Sequence, residues 1–189
     1  VSTRFGSGIQ FGGGIDAGTT ETDNCFVVDS PQQSSFALTG VIASACNVKT
    51  TWGGNAQLKL NGSYPMPFGF VVSGLFQSVP GPLYDANFAF PTASVASSLG
   101  RPLAGSVANV TVNLIEPGKS REPRQNRLDV RLTRHTKLGR LGVQANLDLY
   151  NVFNASAILQ TNSAFGPTFR QPTEIMEPRV VQLSARLTF

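Results

Sequence analysis

Two aspartates and one histidine are the residues whose types and spacing could support acid–base chemistry. Asp129 and Asp148 occupy alternating positions of two neighbouring segments, and a pair of carboxylates can act as acid and base. However, Arg127 and Arg131 flank Asp129, which favours a ladder of neutralised charges over a reactive pair. His135 is the single histidine and has no clear partner in the sequence. We therefore expect that the protein is not an enzyme.

The glycine and cysteine patterns do not predict a cofactor or metal site. The glycines at residues 6–8 and 12–14 lack the spacing of a phosphate-binding loop, and no helix pattern follows them. The two cysteines, Cys25 and Cys46, are too few for a zinc site beside one histidine. We expect them to form a disulfide, which implies an oxidising compartment such as the periplasm or the cell surface. The alternative is two unpaired thiols in a cytosolic protein.

The composition is unusual for a soluble domain. Only 14% of the residues are charged, against about 25% in soluble domains. No apolar run approaches the roughly 20 residues of a transmembrane helix. The net charge of +4 comes without an aromatic–basic recognition motif, so we expect no binding to nucleic acid. The chain starts with Val1 and not with Met, which indicates a processed or truncated chain, and no signal-peptide pattern is visible at its start.

Apolar and polar residues alternate in six segments, which predicts six β-strands. The segments are residues 8–15, 56–64, 70–77, 127–133, 143–150 and 181–189. One face of each segment carries no charge, and the opposite faces carry Lys59, Arg127, Asp129, Arg131, Asp148 and Arg186. A Lys or Arg facing lipid at mid-bilayer costs about 2–4 kcal/mol. The pattern therefore predicts an apolar face towards lipid and these six charged residues towards a wet lumen.

The connections between the predicted strands alternate in length. They run long, short, long, short and intermediate, at roughly 17–55, 65–69, 78–126, 136–140 and 154–178. Outer-membrane barrels have long extracellular loops and short periplasmic turns, whereas a β-sandwich has no reason to alternate in this way. Six strands are too few to close a membrane barrel. We expect part of a larger barrel, with an assembling protomer as the alternative.

Two further features fit the boundaries of a membrane. Tyr64, Phe68 and Phe70 cluster where an aromatic girdle is expected, although ordinary strand aromatics are an equal interpretation. The basic stretch at residues 119–127 lies where a long loop meets the outer rim. Its arginines could bind lipopolysaccharide phosphates. The alternative is a solvated loop base.

Several stretches resemble one known family. NRLDVRLT (126–133) and VQANLDLYNVFN (143–154) resemble the closing strands of TonB-dependent outer-membrane receptors, and so do NSAFGP (162–167) and QPTEIMEPR (171–179). The stretch TDNCFVVDSPQ (22–32) resembles a surface loop of the Oar-like group, whose members carry a carboxypeptidase-regulatory-like domain before the plug. The resemblance covers essentially the whole chain.

The resemblance implies an all-β transmembrane barrel of 22 strands, of which residues 1–189 would be the C-terminal part. The plug domain and the TonB box would be absent from this chain. Implied partners are membrane lipid, lipopolysaccharide, the TonB complex acting through the plug, and the barrel assembly machinery. That machinery would read a terminal signal formed by Val181, Leu183, Ala185, Leu187 and Phe189.

The function expected from the resemblance is energy-coupled uptake across the outer membrane of a Gram-negative bacterium. The sequence does not indicate the substrate or the residues that would bind it. Two alternatives remain open. One is a surface-binding or adhesive barrel without active uptake, and the other is a soluble β-sandwich that binds carbohydrate.

Overall fold

The computed structural model describes residues 1–23, 47–103, 105 and 107–189. The strands in chain order are β1 (Ser2–Arg4), β2 (Gln10–Asp16), β3 (Glu21–Asp23), β4 (Asn47–Lys49), β5 (Gln57–Met66), β6 (Phe70–Val79), β7 (Asn87–Pro91), β8 (Asn109–Asn113), β9 (Gln125–Leu138), β10 (Leu141–Tyr150), β11 (Ile158–Thr161), β12 (Pro172–Ile175) and β13 (Val180–Thr188). Two short helices, α1 (Trp52–Asn55) and α2 (Thr92–Leu99), and a 3-10 turn (Pro67–Gly69) complete the described elements.

The largest unit is a seven-stranded antiparallel sheet in the order β1-β2-β5-β6-β9-β10-β13. The predicted all-β antiparallel architecture is confirmed, and each predicted segment falls within or largely overlaps one strand of this sheet. Each of these strands pairs with the next one along the chain, as in a meander. In the described part of the chain the sheet is open, with β1 and β13 at its edges.

The sheet has one strand more than the six that the sequence predicts. Residues Ser2–Arg4 pair with β2, and the amino group of Val1 donates a hydrogen bond to the Gly13 carbonyl at 2.8 Å. This three-residue strand contains no alternating apolar residues, so its backbone pairing leaves no signal in the sequence.

The long and short connections lie at opposite ends of the sheet. The 3-10 turn joins β5 to β6, and Gly139–Arg140 joins β9 to β10. Three long connections leave the other end, at residues 17–56, 80–124 and 151–179. They contain the hairpins β3–β4, β7–β8 and β11–β12. We call the two ends the turn end and the loop end.

The predicted disulfide between Cys25 and Cys46 lies outside the described residues. The nearest described residues on either side are Asp23 and Asn47, which face each other across the β3–β4 pair. The chain therefore leaves and re-enters the described structure at neighbouring positions.

The interior of the described structure is almost without apolar side chains. Among the described residues, Ala86 is the one buried hydrophobic residue, at 1% exposure, whereas Glu122, Asp148 and Asn151 are buried polar residues. None of the described helices is long and apolar enough to cross a membrane. The strands of the sheet are therefore held by backbone pairing and same-face contacts rather than by a core between two layers.

Candidate functional site

The strand register places the six charged residues singled out in the sequence on one face of the sheet. Side chains of directly paired residues in adjacent strands point to the same side. Lys59 pairs with Gln77, and Gln77 pairs with Arg127. Arg131 pairs with Asp148, Gln144 pairs with Arg186, and Asp129 follows Arg127 by two positions. We call this side, which carries all six, the polar face.

The carboxylates of the polar face are held by arginines. Arg131 Nε donates a short hydrogen bond to Asp148 Oδ1, and the side chain of Asp148 is only 4% exposed. Arg127 Nε lies 2.9 Å from Asp129 Oδ1, which also accepts a hydrogen bond from the Asn151 backbone at 2.8 Å. Each aspartate is thus ion-paired to its own arginine. The expectation that neither carboxylate takes part in acid–base chemistry stays a prediction.

Uncharged side chains extend the hydrogen bonding across three strands. Thr133 Oγ1 donates to Asn146 Oδ1 at 3.0 Å, and Asn146 Nδ2 donates to Ser184 Oγ at 3.1 Å. Tyr150 donates to Gln182 at 3.4 Å. An open cleft of about 320 Å³ lies on this face, with Ser73, Leu75, Asp129, Arg131, Asp148 and Tyr150 among its lining residues. The face is suited to contact with water or with another polar surface.

The opposite side, which we call the apolar face, is built from the alternate positions of the same strands. Its members include Phe11, Ile15, Leu58, Leu60, Tyr64, Phe70, Val72, Phe76, Leu128, Val130, Leu132, Val143, Leu147, Leu149, Val181, Leu183 and Leu187. Several of these side chains are exposed, and Leu183 reaches 79%. No described element packs as a second layer over this face.

Arg134 is the exception on the apolar face. The sequence pattern predicts a strand that ends at residue 133, but β9 continues to Leu138 and places Arg134 on the same side as Leu132. It is the one charged residue on this face among the described strands of the sheet. Its guanidinium carbon lies 5.0 Å from the centre of the Phe70 ring. The period-two pattern of Leu128, Val130 and Leu132 is the signal that could have revealed its orientation.

Two of the long connections are joined at the loop end. The Asn87 backbone donates to the Ser163 carbonyl at 2.7 Å and accepts from Phe165 at 2.8 Å. Arg170 Nη2 lies 3.0 Å from Glu122 Oε2, and the Glu122 side chain is only 1% exposed. The hydrogen bonds and the charge of Glu122 raise the pKa of Arg170 above its usual value. The segments at residues 80–124 and 151–179 therefore form one loop cluster.

Aromatic rings fill this loop cluster. The Arg170 guanidinium lies 4.5 Å from the centre of the Tyr84 ring. The Phe165 ring contacts both Phe88 and Phe169, with ring centres 6.2 Å apart in the first pair and 5.6 Å apart in the second. The sequence gives no signal for this cluster, because its members are far apart in the chain and lie in segments without periodicity.

The basic stretch at residues 119–127 is largely engaged with the protein itself. Arg121 donates to the Gly81 carbonyl at 3.1 Å and to Asn55 Oδ1 at 2.7 Å. Arg124 donates to the Ala56 carbonyl at 2.8 Å. These contacts favour the interpretation that the stretch holds the bases of the loops together. Contact with lipopolysaccharide stays a prediction.

The residues of the predicted terminal signal lie on the last strand. Val181, Leu183, Ala185 and Leu187 are on the apolar face of β13, and Phe189 follows the strand as a fully exposed residue. Their recognition by an assembly machinery stays a prediction.

Among the residues that the structure describes, no group of three or more His, Cys, Asp or Glu could hold a metal ion. No protein-family model, curated protein or solved structure matches this chain.

Proposed function

We propose that this chain forms part of the wall of a transmembrane β-barrel in the outer membrane of a Gram-negative bacterium. The observation that carries the proposal is the apolar face, which spans six strands and carries no charge except Arg134 near the turn end. A soluble sheet buries such a face against a second layer. Lipid is the solvent in which this face needs no protein cover.

The stagger of the strands supports the proposal. At the turn end, the β1–β2 hairpin ends where Gln10 pairs with Ser63, three residues before β5 ends at Met66. The β5–β6 hairpin ends where Phe70 pairs with Arg134, four residues before β9 ends at Leu138. At the loop end, the β2–β5 pair and the β6–β9 pair end at the same height. The β10–β13 pair ends four residues short of this height, measured along β9 towards the turn end. With about 3.3 Å per residue and about 4.8 Å between strands, this stagger corresponds to a tilt of roughly 35–50°. Strands of outer-membrane barrels tilt by about 35–45°.

Among the described residues, no second sheet is large enough for the sandwich alternative. The strands outside the main sheet form three two-stranded hairpins, and none of these described strands exceeds five residues. All three hairpins belong to connections at the loop end. They extend the sheet beyond one end and do not form a layer over its apolar face.

For the whole protein we propose energy-coupled uptake by a TonB-dependent transporter. The resemblance of the closing strands supports this proposal, and the polar face would then line the lumen. The second candidate is a barrel that binds partners through its loops, without uptake. The joined loop cluster is compatible with this candidate as well. A plug domain and a TonB box encoded upstream of Val1 in the same gene would favour transport.

Substitutions on neighbouring residues test the membrane proposal. Leu147→Arg and Leu183→Arg place a charge on the apolar face, and we expect each to cost about 2–4 kcal/mol and to reduce folded protein in the outer membrane. Asn146→Arg and Ser184→Arg add the same side chain to the polar face one residue away, and we expect only mild effects. The measurement is heat-modifiable, folded protein in outer-membrane fractions. Equal losses in both pairs would contradict the assignment of the faces to lipid and lumen.

A further inference from the structure

We propose that Arg134 and the aromatic residues beside it bind the phosphate headgroup of a membrane phospholipid at the turn end of the apolar face. This inference rests on the proposed membrane location, and it assigns a lipid contact to a residue for which the sequence pattern predicts no role. The residues that form the site are Arg134, Phe70 and Phe68.

The charge of Arg134 is isolated on the apolar face. In register, Arg134 lies between Phe70 of β6 and Ala145 of β10. Its side chain is exposed, and no carboxylate of the described residues lies within ion-pair distance of it. The guanidinium is therefore available to an anion from outside the sheet. An amphipathic anion fits both the charge and its surroundings.

Arg134 lies near one end of the apolar face. It is level with the Met66–Phe70 pair, which closes the β5–β6 turn. A lipid-facing arginine is costly at the midplane of the bilayer, and this cost becomes small near the interface. An arginine side chain can also extend along an apolar surface until its charged head reaches the headgroups. The turn end is therefore where the apolar face can accommodate this residue.

The Arg134 guanidinium contacts Phe70 without a hydrogen bond. Its carbon lies over the Phe70 ring, 5.0 Å from the ring centre. A cation–π contact of this kind uses the charge of the guanidinium and none of its N–H groups as a hydrogen-bond donor. Two parallel N–H groups match two phosphate oxygens, which is the strong geometry for arginine–phosphate recognition.

The adjacent turn presents an apolar residue beside this site. Phe68 has φ 63 and is 89% exposed. A left-handed conformation is unfavourable for a bulky residue, so this exposed ring is held at an energetic cost. Gly69 seats the turn against β9, because a Cβ there would lie 2.6 Å from the His135 carbonyl oxygen. The turn thus holds an exposed aromatic residue next to the strand that carries Arg134.

Three arginines at the loop end differ in this respect. Arg121 and Arg124 donate to protein carbonyl groups, and Arg170 is paired with Glu122. Because these contacts use their donors within the chain, these three arginines are less available to an external phosphate than Arg134 is.

Native mass spectrometry of the full protein in a mild detergent, titrated with dioleoylphosphatidylglycerol, tests the proposal. One cationic residue near an anionic membrane surface contributes roughly 1 kcal/mol, which corresponds to about fivefold in affinity. We expect Arg134→Gln to weaken lipid binding by about fivefold. Arg134→Lys should give an intermediate loss, because it keeps the charge and loses the paired donors. The control is Arg4→Gln, which removes the same charge near the turn end but on the polar face, and it should bind as the wild type does.

The outcomes separate this inference from the proposed function. A second measurement is flotation of the protein with phosphatidylglycerol vesicles. If the wild-type protein and the Arg4→Gln variant float with these vesicles, but Arg134→Gln keeps full lipid binding in the native mass spectra, only the headgroup site is overturned. If neither the wild type nor Arg4→Gln floats with the vesicles, the membrane proposal fails, and the headgroup site fails with it. Displacement of the lipid by inorganic phosphate at the same concentration would also overturn the site, because the acyl chains would then contribute nothing.

Discussion

The Glu122 carboxylate is nearly enclosed at the loop end, and Arg170 supplies the charge that stabilises it there. Two nitrogens of Arg170 donate to this carboxylate, at distances between 3.0 and 3.3 Å. Arg170 itself has φ 61. The strained backbone is kept because the guanidinium is held by Glu122 on one side and by Tyr84 on the other.

We expect Glu122→Gln to destabilise the loop cluster by about 1.5–3 kcal/mol, the usual contribution of hydrogen bonds to charged groups. The predicted result is faster hydrogen exchange in residues 80–124 and 151–179, with the main sheet unchanged. Glu116→Gln is the matched control, because Glu116 and Lys119 form an exposed pair whose loss should change little. Similar exchange in both variants would show that the buried pair does not join the two connections.

Residue-scale features are predictable where they follow the strand period. The alternation alone predicts that Asp129, Arg131 and Asp148 share one face, and the register agrees. The same alternation would have placed Arg134 on the apolar face if the predicted strand had been extended by one residue. The pair of Glu122 and Arg170 could not be predicted, because 48 positions separate the two residues and neither lies in a periodic segment.

The tight turns are the elements in which the backbone has least freedom. Gly69 and Gly139 both have positive φ, at 76° and 62°. They differ in their surroundings. A Cβ on Gly69 would lie 2.6 Å from the His135 carbonyl oxygen, whereas a Cβ on Gly139 would meet nothing within 4 Å.

We expect Gly139→Ala to cost about 1–2 kcal/mol from the left-handed conformation alone. Gly69→Ala should cost more, because the β5–β6 turn must also move away from β9. The measurement is the urea midpoint of the folded protein in detergent micelles, compared between the two variants. A midpoint for Gly69→Ala equal to or above that of Gly139→Ala would show that the contact with His135 is readily relaxed.

Elements are predictable when their side chains alternate over at least seven residues. The strands β5, β10 and β13 are examples, since lipid or water on each face would select the residue type at every position. The hairpins β3–β4, β7–β8 and β11–β12 were missed. Each has strands of three to five residues, and their pairing depends on the partner strand and on the loop around it.

For the whole molecule, the open edges of the sheet are the dominant feature. β13 pairs with β10 on one side, and the described residues offer no partner on its other side. Unpaired backbone groups at an edge are a template for further pairing, and in hydrocarbon they are costly. The edges are consistent with assembly into a larger sheet.

We predict that deletion of Phe189 lowers the amount of folded protein in the outer membrane much more than Thr188→Ala does. Phe189 continues the apolar alternation of β13, whereas Thr188 pairs with Gly142 on the polar face. The measurement is heat-modifiable protein in outer-membrane fractions at low expression. Normal accumulation of the deletion variant would remove the terminal residue from any role in recognition.

The separation of long and short connections has a consequence for how the sequence can change over time. Doubling the length of a flexible loop adds only about 0.6 kcal/mol of closure entropy, so insertions in the long connections should cost little at positions outside the contacts of the loop cluster. An added residue in the 3-10 turn would instead displace Gly69 from the His135 carbonyl. Related chains should therefore diverge most at one rim of the sheet and keep their length at the other. The loops at the variable rim could then gain new binding partners or lose old ones, while the strands that carry these loops remain unaltered.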